Sequence, residues 1–287
     1  MFAIRRALVA IFASLPFTTH TWAAQAPVLI DCQEAKLRAS DSGTSDLLGQ
    51  SVAVDGNVAV VGAYLNDNSN GGNAGAIYVY ERSGTSWSQT AKLLATNGSA
   101  SDQLGVSLAI DGDTIVAGAF GDDTAAGADA GSAYVFVLCA GAWVQQTQLF
   151  HPSGAVGDQF GRDVAIEGDT IVVGCYLDDP CPADSGSAWV FVRNNNGTPN
   201  DLCDDTWALQ SQLIPSACQA GAYFGLRVDV QGNRAIVGAN LENSPEVDRG
   251  AAYVFERSGT MWTQTAQLLA GDGAASDYFG IDVALGA

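Results

Sequence analysis

Residues 160–174 read FGRDVAIEGDTIVVG, and this stretch decides the fold. Its first half alternates between apolar and polar side chains, which predicts a half-exposed β-strand. Glu167-Gly168 then indicates a tight turn, because glycine before a second apolar run is typical of a two-residue hairpin. The run from Thr170 to Gly174 is apolar almost throughout, as in strands that are covered on both faces. The stretch therefore predicts a β-hairpin whose second strand is buried.

The same hairpin recurs along the chain at a nearly constant spacing. The glycine that closes its apolar strand stands at Gly62, Gly118, Gly174 and Gly238, with spacings of 56, 56 and 64 residues. A tryptophan series keeps step at spacings of 56, 64 and 55: Trp87, Trp143, Trp207 and Trp262. The longer third unit contains a polar insert, Asn194 to Asp205. Series that keep step in this way indicate an internal repeat.

Each unit contains four predicted strands, which we call A to D. Strands A and B join through a turn at Asp55-Gly56 or its equivalents, strand C is aromatic, and strand D starts at the tryptophan. Repeats of this length exclude a parallel β-helix, and the lack of any 3.6-residue period excludes a helical solenoid. The sequence predicts an all-β fold, a β-propeller of four-stranded antiparallel blades.

Four complete blades and two partial ones account for the repeat region, residues 32–287. The predicted segments are blades at about 46–95, 102–150, 158–214 and 222–270, with partial strands at 32–39 and 277–287. The partial blades hold only a strand D and a strand A. We expect a sequence cut from a larger propeller, and a compact four-blade ring is the alternative.

The first 24 residues have the pattern of a secretory signal peptide. Arg5 and Arg6 precede an apolar run, and Ala23 and Ala24 offer cleavage points. The apolar run is too short to span a bilayer. We expect a secreted or cell-surface protein without a membrane span, and a periplasmic location is the alternative.

The composition is strongly acidic. Without Arg5 and Arg6, 10 basic residues stand against 31 acidic ones, a net charge of −21. This balance excludes nucleic acid and anionic membranes as expected partners. It is compatible with cationic ligands, with calcium, or simply with solubility.

The blade pattern resembles the FG-GAP repeat, which also forms the propeller heads of integrin α subunits. The resemblance rests on Phe160-Gly161, Val164 to Ile166, Ile171 to Gly174 and Gly186 to Phe191, and it spans nearly the whole predicted mature chain. The Phe-Gly pair recurs at 224–225 and 279–280 and is Leu-Gly at 48–49 and 104–105. The resemblance implies a parent architecture of seven blades and a role in extracellular recognition.

One departure concerns calcium. Integrin-type repeats often bind calcium in an A–B loop of the form Asp-x-Asp-x-Asp-Gly, whereas this hairpin is too short to wrap a cation that needs six to eight oxygens. The acidic residues lie in the B–C loops instead, and in the resembling integrin heads ligands bind at the B–C and D–A end. The candidate ligand-face or weak cation-binding residues are Asp67, Asp122, Asp123, Asp129, Asp178, Asp179, Asp184, Glu242, Glu246 and Asp248. The alternative is that they are ordinary turn formers.

Six cysteines in an exported chain predict disulfides. We expect Cys175–Cys181 to close the third B–C loop, and Cys139–Cys203 is the next candidate. The sequence has no Cys-x-x-Cys pair and no Cys/His cluster, so we expect no metal centre of that kind. Calcium at the acidic loops is the one cofactor left open.

Catalytic patterns are nearly absent. After signal removal the only histidine is His151, which we expect to be an ordinary loop residue, and no nucleophile elbow occurs. The sequence therefore predicts a non-enzymatic interaction scaffold for an extracellular protein or glycan. The alternatives are a propeller hydrolase or lyase that uses His151 or axial carboxylates such as Asp163, and a calcium-stabilised structural repeat.

Overall fold

The computed structural model describes residues 35–198, 201–243 and 246–286. The predicted signal peptide and Cys32 lie outside these residues. The described chain folds into four antiparallel sheets of four strands, each in sequence order, and contains no helix. The predicted four-stranded blades are therefore confirmed, while the seven-blade parent stays a prediction. No helix in the described chain meets the length and hydropathy needed to cross a bilayer.

The strands of blades 1 and 2 are β1 (Val52–Asp55), β2 (Val58–Ala63), β3 (Ala76–Ser83), β4 (Ser86–Leu93), β5 (Leu108–Asp111), β6 (Thr114–Ala119), β7 (Ser132–Cys139) and β8 (Ala142–Phe150). Those of blades 3 and 4 are β9 (Val164–Glu167), β10 (Thr170–Cys175), β11 (Ser187–Asn194), β12 (Thr206–Leu213), β13 (Phe224–Gln231), β14 (Arg234–Ala239), β15 (Ala251–Ser258) and β16 (Met261–Leu268). The four A strands follow one another from blade to blade, since β1 packs against β5, β5 against β9, and β9 against β13.

The A–B turn differs by one residue from its prediction. Asp55 pairs with Val58, so the two turn residues are Gly56 and Asn57 rather than Asp55 and Gly56. Gly56 has a φ of 53°, and Asn57 is not among the residues with positive φ. A two-residue turn that needs positive φ only at its first position favours glycine at that position. Gly56 is therefore the first turn residue, and the turn lies one residue closer to the C-terminus than the sequence predicted.

The repeated glycines set the distance between blades. A Cβ atom added to Gly174 of strand B would lie 2.0 Å from the carbonyl oxygen of Gly225, which belongs to the Phe-Gly pair of the next blade. Gly62, Gly118 and Gly238 meet the following blade in the same way. Only glycine permits so close an approach at the strand B position. The glycine that closes strand B and the glycine of the Phe-Gly pair in the next blade therefore recur together because they contact each other.

The core lies between successive blades. Strand C supplies its largest side chains, and Tyr78, Tyr134 and Tyr253 are fully buried. Strand B is buried along most of its length, as its apolar sequence predicts. The A strands, four residues long in blades 1 to 3 and eight residues long in blade 4, border a central cavity of about 680 Å³.

Candidate functional site

The B–C and D–A loops form one connected surface, which we call the loop rim: B–C residues 64–75, 120–131, 176–186, 240–243 and 246–250, with D–A residues 94–107, 151–163, 214–223 and 269–283. Backbone hydrogen bonds join each B–C loop to the D–A loop that follows it. Ser101 N donates to Gly72 O at 2.9 Å and Gln103 N to Asn73 O at 3.2 Å. Equivalent pairs of bonds recur at the next three blades. The rim is thus tied across blades by main-chain bonds that do not depend on side-chain identity.

Three exposed candidate acids hold the B–C loops in shape. Asp123 Oδ1 accepts a hydrogen bond from the backbone N of Asp129 at 2.9 Å, and Asp179 Oδ1 accepts one from Asp184 N at 2.6 Å. Asp67 makes the same bond to Asn73 N at 2.8 Å. The donor residues take a left-handed backbone, with φ near 50° at 129 and 184, which asparagine and aspartate tolerate. These acids are turn formers and exposed charges at once.

The fourth B–C loop uses an amide in place of the carboxylate. Asn243 Oδ1 accepts from Asp248 N at 2.9 Å. Glu246 is exposed and forms an ion pair with Arg249 at 3.4 Å. This loop therefore presents less unpaired negative charge than the second and third loops.

Three of the candidate acids are not on the exposed face. Asp122, Asp178 and Glu242 are only 5%, 7% and 2% exposed. Each follows strand B by three residues in a turn, with its backbone N bonded to the last residue of that strand, and this turn directs the carboxylate inward. The structure places these three carboxylates in the core rather than on the exposed loop face, because strands C and D supply buried donors that hold them there.

Blade 2 shows the buried arrangement clearly. Asp122 Oδ2 accepts hydrogen bonds from Ser132 Oγ at 2.5 Å, Tyr134 Oη at 3.1 Å and Gln148 Nε2 at 2.5 Å. Burial raises the pKa of Asp122, and these bonds offset part of that effect. In blade 4, Tyr253 and Gln267 donate to Glu242 in the same way.

A second set of carboxylates closes the D–A loops. Asp102 accepts from Ser99 N at 2.5 Å and Asp158 from Ala155 N at 2.6 Å. Burial raises the pKa of Asp102 to about 6 despite this bond, with the nearby carboxylates of Asp122 and Asp123 adding to the rise. The D–A loop before blade 4 has Ala222 at this position and contains a disulfide instead.

The disulfides correct the sequence prediction in part. Cys139 and Cys203 are joined, with Cα atoms 5.7 Å apart, as the second candidate pair proposed. Cys181 pairs with Cys218 of the neighbouring D–A loop, so the expected Cys175–Cys181 bond is wrong. Cys175 ends strand β10 with its side chain buried in the core, where Sγ lies 3.4 Å from Asp158 O. Strand alternation points it away from the exposed loop that carries Cys181.

Sequence reasoning missed one cluster. His151, Cys175 and Asp178 bring a nitrogen, a sulfur and an oxygen within 4.8 Å of one another, and all three residues are buried. Among the described residues this is the one group of three or more such side chains at that spacing, and the exposed loop acids form none. Repeat alignment offered a signal, because the repeats before them have alanine at the positions that correspond to His151 (Ala39 and Ala95) and to Cys175 (Ala63 and Ala119).

His151 is thus not an ordinary loop histidine, although it stands at the start of a D–A loop. Its ring packs edge-on against Trp189, with centroids 4.5 Å apart, and Nε2 lies 3.0 Å from Asp178 Oδ2. Burial raises the pKa of Asp178, but the contacts with His151 and Ser187 outweigh burial and leave the pKa below its ordinary value. Burial also raises the pKa of the Cys175 thiol.

The axial carboxylate Asp163 borders the central cavity, but both of its oxygens are engaged. Oδ1 accepts from Ser107 Oγ at 2.7 Å, and Oδ2 accepts from Val228 N at 2.8 Å. Burial raises the pKa of Asp163, and these two bonds act against it. The residue ties blades 2, 3 and 4 together at the axis.

Comparison with known proteins agrees with the fold and the repeat. The FG-GAP repeat family matches residues 32–80, 87–136, 143–191, 207–255 and 262–287. No curated protein shows a significant match to the chain. Because the family matches well over half of the chain, this protein belongs to the FG-GAP repeat family.

Proposed function

We propose that the protein is an extracellular interaction scaffold, adhesion-like in its role, that binds a protein or glycan partner on the loop rim. The observation that carries this proposal is the rim itself, a surface that main-chain hydrogen bonds connect from blade to blade. A surface ordered in this way loses little conformational entropy when a partner binds. FG-GAP membership supports the same class of function, a propeller that serves as an interaction scaffold.

The charge of the rim favours a partner with cationic groups. Asp123, Asp129, Asp179 and Asp184 are exposed on neighbouring B–C loops, and the whole chain has a net charge of −19. Complementary charge raises association rates and disfavours like-charged partners. We therefore expect a basic protein surface or an amine-bearing glycan, and we propose no catalytic step.

Two features support a location outside the cytoplasm. The sequence predicts a signal peptide at residues 1–24, which lie outside the described residues. The two disulfides, Cys139–Cys203 and Cys181–Cys218, are of the kind that persist in oxidising compartments.

A peptide selection tests the proposal. Random 12-residue peptides displayed on phage are selected on the immobilised wild-type protein and on a variant with Asp123, Asp129, Asp179 and Asp184 changed to Asn. Asparagine keeps the loop hydrogen bonds and tolerates positive φ, so only charge is removed. We expect the wild type to enrich Lys- and Arg-rich peptides and the variant to lose their binding at least about tenfold, about 1.4 kcal/mol.

The control removes as many charges from the A–B turns: Asp55→Asn, Asp111→Asn, Asp113→Asn and Glu167→Gln. Strand direction places these turns at the opposite ends of the blades from the rim. The control should bind the selected peptides like the wild type. Equal loss in both variants would mean that net charge alone attracts the peptides, and unchanged binding in the rim variant would overturn the proposal.

A further inference from the structure

Blade 3 differs from its neighbours at two positions beside the buried carboxylate. Cys175 ends strand B, where the other three blades have alanine: Ala63, Ala119 and Ala239. His151 follows strand D of blade 2, where the corresponding residues 39, 95 and 270 are alanine and residue 215 is proline. Alanine at these positions is compatible with the blade architecture, so the architecture itself does not demand either residue.

The two replacements meet at one point. His151 enters from blade 2 and Cys175 from blade 3, and their ligand-type atoms lie within 4.8 Å of each other and of the Asp178 carboxylate. The His151 side chain is only 3% exposed. Its Nδ1 accepts a hydrogen bond from Ser153 N at 3.1 Å, which orients the ring so that Nε2 faces Asp178.

The imidazole Nε2 lacks a well-directed hydrogen bond. It lies 3.0 Å from Asp178 Oδ2, but this contact does not have hydrogen-bond geometry, and no other acceptor within the described residues serves it. Buried polar atoms are rarely left in this state. A buried nitrogen that lies beside a thiol and a carboxylate without a well-directed hydrogen bond points to a ligand in the space between them.

We propose that His151, Cys175 and Asp178 bind one transition-metal ion of the zinc type. Imidazole nitrogen, thiolate sulfur and carboxylate oxygen are the three ligand atoms that Zn²⁺ takes in proteins, whereas calcium and magnesium take oxygen. The charges also balance, because a divalent cation neutralises one thiolate and one carboxylate. A site of net zero charge avoids much of the cost of burying ions.

Metal binding requires a balanced transfer of protons. The Cys175 thiol releases its proton to solvent as sulfur becomes a thiolate ligand. The imidazole stays neutral, but its proton leaves Nε2 and Nδ1 gains one, so that the Nε2 lone pair faces the metal. The carbonyl oxygen of Asp158, which accepts a hydrogen bond from the Cys175 thiol at 3.4 Å, loses this donor when the thiolate forms.

Two local adjustments accompany binding. Ligand atoms around tetrahedral zinc are separated by about 3.3–3.8 Å, given its bond lengths. His151 Nε2 and Asp178 Oδ2, now 3.0 Å apart, must separate slightly, and pairs near the 4.8 Å limit of the cluster must close, both by small side-chain rotations. A proton on Nδ1 also displaces the Ser153 N–H bond. Pro152 and Ser153 are exposed, so water can take over that backbone donor, and the same turn offers a route for the metal.

Cobalt binding tests the site directly. The full chain is stripped with EDTA, exchanged into chelator-free buffer without reductant, and titrated with Co²⁺. We expect a thiolate-to-cobalt charge-transfer band that saturates at one ion per chain and is displaced by Zn²⁺. Zn²⁺ should also raise the Tm of the stripped protein.

The repeats supply variants that are expected to fold. Cys175→Ala and His151→Ala introduce the alanine found at the corresponding positions 63, 119 and 239, and 39, 95 and 270, and Cys175→Ala should abolish the charge-transfer band. Each variant should weaken zinc binding at least about tenfold. Cys32→Ser, outside the described residues, should keep the band and excludes that thiol as its source.

Three results would overturn the proposal: the absence of a saturable thiolate band, a band that survives Cys175→Ala, or an equal zinc-dependent rise in Tm in the wild type and Cys175→Ala. Circular dichroism verifies the fold of each variant. If Cys175→Ala does not fold, Cys175→Ser preserves side-chain size and must still lose the band. Loss of peptide binding on the loop rim is a separate measurement, so failure here leaves the proposed function untouched.

Discussion

Blades 2 and 3 bury a carboxylate at the same repeat position but surround it differently. Asp122 accepts from a tyrosine hydroxyl, a serine and a glutamine. Asp178 keeps the serine and the glutamine, but Trp189 replaces the tyrosine and donates to Ser187 instead. His151 Nε2 lies 3.0 Å from Asp178 Oδ2, the oxygen that corresponds to the one contacted by the tyrosine hydroxyl in blade 2.

The difference shows that the repeat requires a buried acid with polar neighbours, while the identity of one of those neighbours varies between blades. The buried acid must be satisfied, because an unpaired carboxylate in the core costs several kcal/mol. The residue that lies beside the acid can come from strand C of the same blade or from the D–A loop that precedes the blade. In blade 3 this variable position beside the acid contains a histidine, which lies close to a cysteine.

The largest expected effect comes from removing the acid of blade 2. Asp122→Ala leaves the buried donors of Ser132, Tyr134 and Gln148 without their acceptor, so we expect the free energy of unfolding to fall by about 3 kcal/mol. Urea denaturation measures this change. The matched control is Asp123→Ala, whose exposed side chain makes one loop bond and should cost no more than about 1 kcal/mol. Equal losses in the two variants would show that Asp122 is not the centre of the network.

A double-mutant cycle compares the two blades more finely. In EDTA-treated protein, His151→Ala should lower the free energy of unfolding by about 1–3 kcal/mol, because Asp178 loses a buried contact. Combining it with Trp189→Tyr rebuilds the donor of blade 2, so the double variant should recover about 1 kcal/mol relative to the sum of the single changes. Strict additivity would show that the tyrosine hydroxyl and the histidine are not equivalent partners of the acid.

The smallest expected effect is a pH dependence that arises at the D–A loop of blade 2. The folded pKa of Asp102 is about 6, above the ordinary value of 3.8. The folded state therefore binds more protons than the unfolded state between these values, and stability rises as pH falls from 7 to 5. We expect the wild type to gain about 1 kcal/mol over Asp102→Asn in this range. Parallel stability curves for the two proteins would contradict the raised pKa.

Much of the fold was predictable from periodicity alone. The glycine series, the tryptophan series and the aromatic character of strand C are each visible within a single repeat, and each identifies one strand of the blade. The A–B turn was misplaced by one residue, because the same Asp-Gly pair fits two turn types and only strand pairing decides between them. The candidate site was less predictable, because acids at similar loop positions have opposite environments, as Asp122 and Asp123 show.

The sequence by itself determined the blades, because the alternation of apolar and polar side chains and the turn glycines define each strand within a few residues. The same pattern then recurs in every repeat. Only the tertiary structure decided which acids are buried, which cysteine pairs with Cys181, and that His151 meets Cys175. These outcomes depend on contacts between neighbouring blades, where residues 24 or more positions apart come within a few ångströms. A single sequence carries no direct record of such contacts, whereas the packed blades fix them.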